Sequence, residues 1–312
     1  MGHHHHHGRH DGAAEDDRQV DRRLWWSTAL NTLITVAEFA GGLLTGSLAL
    51  LADALHNLSD VAALVLAIGA RRLGRRPPNP RFTYGFKRVE VLAAFVNALV
   101  LVGVSAFIAW EAFARLSAPR APDAGPMLAV ALVALVGNTA SVLLLHRHSR
   151  GDINVQSAFL HLAQDALASL IVVVAALFAK TPAGVYLDPL ASVVICGFVL
   201  RGAFTIVAEA FGIVTEATPR GMDVAALGDG VAARFAPARL HHLHVWEVGP
   251  GQRILPGHLA VPEMSVAESE ALTCRIRDYL RAEWSIVHAT LEPEVNGCGT
   301  SELVPDADCW PR

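Results

Sequence analysis

Six stretches of about twenty predominantly apolar residues, roughly 24–45, 47–70, 89–114, 127–146, 157–179 and 183–203, constrain this 312-residue chain more than anything else in it. Each is long enough to cross the ~30 Å hydrocarbon core of a bilayer as an α-helix. Only 17% of the residues are charged, against roughly a quarter in a soluble domain. A net charge of −4 excludes a generally basic nucleic-acid binder. The four cysteines, Cys196, Cys274, Cys298 and Cys309, have no CxxC spacing, so neither a disulfide framework nor a zinc ribbon is readable. Arg22 and Arg23 precede the first stretch, which lacks the short core and cleavage site of a secretory signal and is expected to stay in the mature chain.

Orientation follows from the arginines and lysines of the short connections. Arg22, Arg23, Arg71, Arg72, Arg75, Arg76, Arg81, Lys87, Arg88, Arg147 and Arg150 fall on one side, and only Arg115, Arg120 and Lys180 on the other. Eleven against three places both termini in the cytoplasm of a multi-pass inner-membrane protein. Arg201, about 27 Å along a helix that starts near Ala183, is expected to snorkel at the cytoplasmic interface.

From Thr215 the apolar run stops. The pattern becomes helix (222–235), strand (240–248), a Gly-Pro-Gly turn, strand (254–261), helix (265–284) and strand (286–291). This αββαβ order fits a two-layer α+β domain with its helices on one face of a three-stranded sheet. Residues 215–312 hold 8 Arg, no Lys and 14 Asp plus Glu, a net −6 that suits a divalent cation better than nucleic acid. The domain reading is therefore 1–23 as a His-rich tail, 24–214 as the membrane domain, 215–295 as the αββαβ domain and 296–312 as a tail.

Two spans carry the same pair of ionisable residues. The second contains His56 and Asp60, the fifth His161 and Asp165, each at i, i+4 and so on one helical face. Two such faces turned toward each other offer two imidazole nitrogens and two carboxylate oxygens, a set that suits a tetrahedral Zn²⁺ with bonds of ~2.0–2.2 Å. Ionisable residues at membrane depth are costly and mark function. Asp53 extends the stripe and reads equally as a step on an ion path or as a helix-end carboxylate. Asn57, Ser157 and Gln164 read either as hydrogen-bond partners of the ligands or as interhelical contacts. Glu38, Glu90, Glu111 and Glu209 read as structural or interfacial.

At these residues the chain resembles the zinc-type branch of the cation diffusion facilitator family. The matching text includes Gly41-Gly42, the run from Gly46 to Asp53 that leads into His56 and Asp60, the run from Tyr84 to Glu90, His161 with Asp165, and the run from His241 to Trp246. The resemblance implies six transmembrane helices, a cytosolic metallochaperone-like αββαβ domain, a homodimer in membrane lipid, and export of Zn²⁺ from the cytoplasm in exchange for protons. It carries over His56, Asp60, His161 and Asp165 as transport ligands. It also implies zinc ligands in the cytosolic domain, where the matching positions are His241, His258 and His288, with His242 where the family often has Asp. The loop from Arg71 to Lys87 holds no His, so the additional site some members carry there is expected to be missing or weaker.

His3 to His7 with His10 read equally as a tag remnant or a metal-collecting tail, and Cys298 and Cys309 as exposed thiols or soft-metal ligands. Cd²⁺ and Co²⁺ stay open as further cargo. An intramembrane metalloprotease would need His-Glu-x-x-His, which is absent, and no Glu adjoins His56 or His161. A metal receptor that binds without transporting stays open.

Overall fold

The computed structural model describes residues 29–146, 153–295 and 302–304. The His-rich tail, Arg22, Arg23, Arg147, Arg150, the side chain of Ser157, Cys298 and Cys309 lie outside the described residues. The chain forms two units, one of residues 1–65 and 97–204, the other of 66–96 and 205–312.

The helices are α1 (Ala29–Thr45), α2 (Leu48–Gly74), α3 (Arg88–Ser117), α4 (Ala124–His146), α5 (Ile153–Phe178) and α6 (Leu187–Val214), the last preceded by a single 3₁₀ turn at Gly184–Tyr186. Five of them, α2 to α6, are long and apolar enough to cross a membrane. The sequence led us to expect six. The described part of α1 has 17 residues, about 26 Å at 1.5 Å each, because residues 24–28 of the expected span lie outside the described part. The sixth helix also differs from its expected 183–203: it begins at Leu187 and runs to Val214. Arg201 is therefore about 21 Å into α6, with the helix continuing beyond it, rather than at its end.

The first unit is inverted relative to a water-soluble domain. Phe107, Trp110, Val136 and Phe198 are more than half exposed, while Asp53, Asn57 and Asp165 are fully buried. Exposed apolar surface on this scale is what a lipid-facing bundle presents. The core is built from Leu48, Leu50, Ile108, Met127, Val172 and Ile195 among others. Close packing has a visible cause at Gly41, where a Cβ would stand 2.9 Å from Val130 of α4. α1 turns into α2 through Gly46, whose φ of +70° favours glycine. The start of α2 is then held by Asp188 of α6, which accepts from Ser47 Oγ at 2.5 Å, Leu48 N at 2.9 Å and Ala49 N at 3.3 Å. A carboxylate at a helix N-terminus satisfies orphan amides and complements the helix dipole.

In the second unit α7 (Val224–Arg234) is N-capped by Asp223, which accepts from Ala226 N at 3.0 Å. A sheet follows, of β1 (Arg239–His241), β2 (Trp246–Glu247), β3 (Arg253–Ala260) and β4 (Ile286–Glu294). β1 and β2 pair with opposite ends of β3 in antiparallel register, so they are one expected strand, 240–248, interrupted where His242 takes φ +46°. β4 pairs with β3 in parallel, and α8 (Val266–Trp284) is the crossover between them. Leu227, Val231, Leu255, Leu259, Ile276 and Leu280 fill the core between helices and sheet. Residues 302–303 lie beside the interruption, with His242 N and Leu243 N donating to the carbonyls of Glu302 and Leu303.

Candidate metal centres

α2 and α5 bring His56, Asp60, His161 and Asp165 together in the first unit. His56 Nε2 lies 3.7 Å from Asp60 Oδ2 and 3.7 Å from Asp165 Oδ1. His161 Nε2 lies 3.4 Å from Asp60 Oδ2 and 3.8 Å from Asp165 Oδ2. The same Asp60 oxygen meets both rings, whereas Asp165 meets each ring with a different oxygen. A tetrahedral ion with ~2.1 Å bonds needs all six ligand-to-ligand edges near about 3.4 Å, and Asp60 stands outside the group of three that comes closest to this. His56, His161 and Asp165 place one ligand atom each within 4.8 Å of one another, and the two rings meet edge to face at 5.9 Å between centroids. Asp165 is fully buried, whereas Asp60 and His161 are 37% and 38% exposed, so the group is closed at Asp165 and open on the other side.

Of the neighbouring polar residues, Asn57 takes the interhelical reading. Asn57 donates to Glu38 Oε2 at 3.2 Å rather than to a member of the four, and Gln164 is exposed. His56 Nδ1 and both oxygens of Asp165 have no hydrogen-bond partner. Asp53 is buried inside the bundle with Glu38, which the sequence led us to treat as structural or interfacial. Glu111 pairs with Arg115 at 3.2 Å.

In the second unit His241 and His258 face each other across β1 and β3, with ring centroids 5.4 Å apart. The third group with them is Glu294: His241 Nε2 lies 2.5 Å from its Oε1 and His258 Nδ1 3.2 Å from its Oε2. His288, which the family resemblance implied, stands elsewhere. Because β4 runs parallel to β3, His288 is opposite Ile254, near the start of both strands, while Glu292 is opposite His258 near the end of β3. Six residues separate His288 from Glu294, about 20 Å along a strand. His288 instead lies 3.4 Å from Thr290 Oγ1 and meets the Tyr84 ring edge to face. Sequence reading missed Glu294 because it ended the strand at Leu291. The signal was the Glu-Pro-Glu run itself, since an edge strand tolerates Pro293. His242 stacks on His258 at 4.9 Å, and burial, followed by the charge of His242, pushes His244 below the ordinary imidazole range.

Comparison with known proteins agrees with this two-part arrangement. Residues 24–213 match the cation efflux transmembrane domain, and residues 237–295 the cation efflux protein cytoplasmic domain. A protein named zinc transporter ZitB from Yersinia pestis is 38% identical over 283 residues, 90% of each chain. The metal cation efflux system protein CzcD of Cupriavidus metallidurans is 31% identical over 93% of this chain and 92% of its own. A Bacillus subtilis protein named cadmium, cobalt and zinc/H(+)-K(+) antiporter is 32% identical over 83% of this chain and 84% of its own. The chain belongs to the cation diffusion facilitator family, whose members are cation transporters and not enzymes.

Proposed function

We propose that this protein exports Zn²⁺ from the cytoplasm across the inner membrane in exchange for protons, with Cd²⁺ and Co²⁺ as further cargo. The observation that carries this reading is the gathering of His56, Asp60, His161 and Asp165, with nitrogen-to-oxygen distances of 3.4 to 3.8 Å and with His56, His161 and Asp165 close enough to share one borderline cation. The printed names of the relatives support zinc as cargo. Six spans, from residue 24 to 214, leave both termini and the domain at 215–295 in the cytoplasm, which the eleven-to-three charge asymmetry supports. The tails are 1–23 and 296–312.

The chemistry follows from the ligand types. An imidazole must be neutral and a carboxylate ionised to bind metal, so Zn²⁺ entering from the cytoplasm displaces protons. Facing the other side, the same groups take up protons and release the ion. Rocking of helices about a fixed site supplies the alternation. In the cytosolic domain, His241, His258 and Glu294 form a regulatory zinc site in a homodimer, with Glu294 in the place that the resemblance gave to His288.

The test is zinc flux into proteoliposomes. Asp60→Ala and Asp165→Ala each remove a ligand and half the charge that compensates a divalent ion, so both abolish flux while the helical circular dichroism stays that of the parent. Wild-type flux in either variant contradicts the assignment.

A further inference from the structure

The buried polar stripe of α2 continues beyond His56. Asp53 is fully buried, and the buried Glu38 of α1 reaches the same face of α2 at Asn57, one helical turn on from Asp53. Asn57 Nδ2 donates to Glu38 Oε2. On the other side Ser169 Oγ of α5 lies 3.4 Å from Asp53 Oδ2 as donor and accepts from Asn138 Nδ2 of α4 at 3.0 Å. Four helices thus supply one buried chain, Asn57, Glu38, Asp53, Ser169 and Asn138.

This chain has more acceptors than donors. Glu38 Oε1, Asp53 Oδ1, Asn57 Oδ1 and Asn138 Oδ1 all lack a hydrogen-bond partner, and each residue is at most 1% exposed. Among the described residues, no Lys or Arg pairs with either carboxyl, and no hydrogen bond or ion pair joins them to His56, Asp60, His161 or Asp165. The further charges facing the pair are those same residues: Asp165 on α5 adds negative charge, with His56, Asp60 and His161 beyond it. Glu38 is the one titratable residue of α1, and α4 has none before His146. Two carboxyls buried in one polar chain at low dielectric, with no cation beside them, do not both ionise. The oxygen-only set has no imidazole, so a borderline cation prefers the four-residue site.

We propose that Glu38 and Asp53 hold one proton between them and that this proton is among those exchanged for the metal. The inference rests on the antiport reading above. When the divalent ion binds at the four residues, its charge stabilises both carboxylates, the shared O–H bond breaks and H⁺ leaves. When the ion departs, H⁺ from the far side re-forms one O–H bond, and no other bond changes.

Infrared difference spectra of the full-length protein in lipid test this, with Zn²⁺ alone as probe. The metal-free wild type is expected to show the C=O stretch of a protonated carboxylic acid. Saturating Zn²⁺ removes that band, and it is missing from both Glu38→Gln and Asp53→Asn. Protons released per zinc bound, read with a pH dye in weak buffer, fall by about one in each variant. Where a variant fails to fold, carbon-13 labelling of Glu or of Asp in the wild type must shift the same zinc-sensitive band. A band that persists in both variants, or that ignores zinc, overturns the proposal and leaves antiport standing. Zinc flux without proton counterflow in the wild type overturns antiport and leaves the band intact.

Discussion

His56 is the member of the proposed membrane site whose replacement tests ligand chemistry most selectively. His56→Asp exchanges an imidazole for a third carboxylate, which makes the site harder, more anionic and less demanding of tetrahedral geometry. Competition flux with both metals is expected to show the preference shifted toward Cd²⁺ with Zn²⁺ transport kept, and an unchanged preference counts against control of selectivity by the ligand set. In the C-terminal domain, Glu294→Ala and His288→Ala separate geometry from resemblance. In an Asp60→Ala background, zinc titration is expected to find the Glu294 variant weakened at least about tenfold, the scale on which even outer partners act, and the His288 variant unchanged. Residues at a fixed helical spacing were legible: His56 with Asp60, and His161 with Asp165, share a face because i, i+4 is local geometry. Glu294 was not, because which residue of β4 meets His258 depends on parallel strand register, a non-local quantity. Glu38 was hidden for a related reason, since a lone acid on an apolar helix shows its partner only after α1 and α2 pack.

At the scale of elements, α8 is fixed by local chemistry. Ser265 Oγ accepts from Glu268 N, and the Glu268 carboxylate accepts from Ser265 N at 2.8 Å, a reciprocal cap. Hydrogen bonds from the Ser265 hydroxyl, and then from its amide, hold Glu268 below its ordinary value of 4.5. A carboxylate lowered on folding stabilises the fold above its ordinary pKa, and that contribution is lost as pH falls through and below 4.5. Glu268→Gln is therefore expected to lower the Tm slightly at neutral pH, with the difference vanishing in acid. A difference that grows as pH falls contradicts the assignment. Leu255, fully buried in β3, belongs to the packing rather than the caps, and Leu255→Ala is expected to destabilise this unit by about 2–5 kcal/mol, read by tryptophan fluorescence on denaturation of the full chain. The helix, strand and turn order of this half was readable from periodicity. The break of the first strand at His242 showed in the sequence only as a three-residue step from Leu240 to Leu243, where the backbone turns to positive φ and bonds residues 302 and 303. The start of α6 was misjudged since Gly184–Tyr186 is apolar enough to pass as helix yet winds as a 3₁₀ turn.

At the scale of the whole molecule, apolar surface outside and carboxylates inside the first unit leave the bilayer as its natural solvent, and family membership makes the moving ion a metal cation. The proposed exchange is with protons. It is tested by proteoliposomes of the full-length protein loaded with a pH dye, to which Zn²⁺ is added outside. Zinc entry is expected to be matched by proton exit, at a rate that follows an imposed gradient across the imidazole range, from about pH 6 to about pH 8. Zinc entry with no proton movement, at a rate indifferent to that gradient, would contradict it and leave facilitated diffusion in its place.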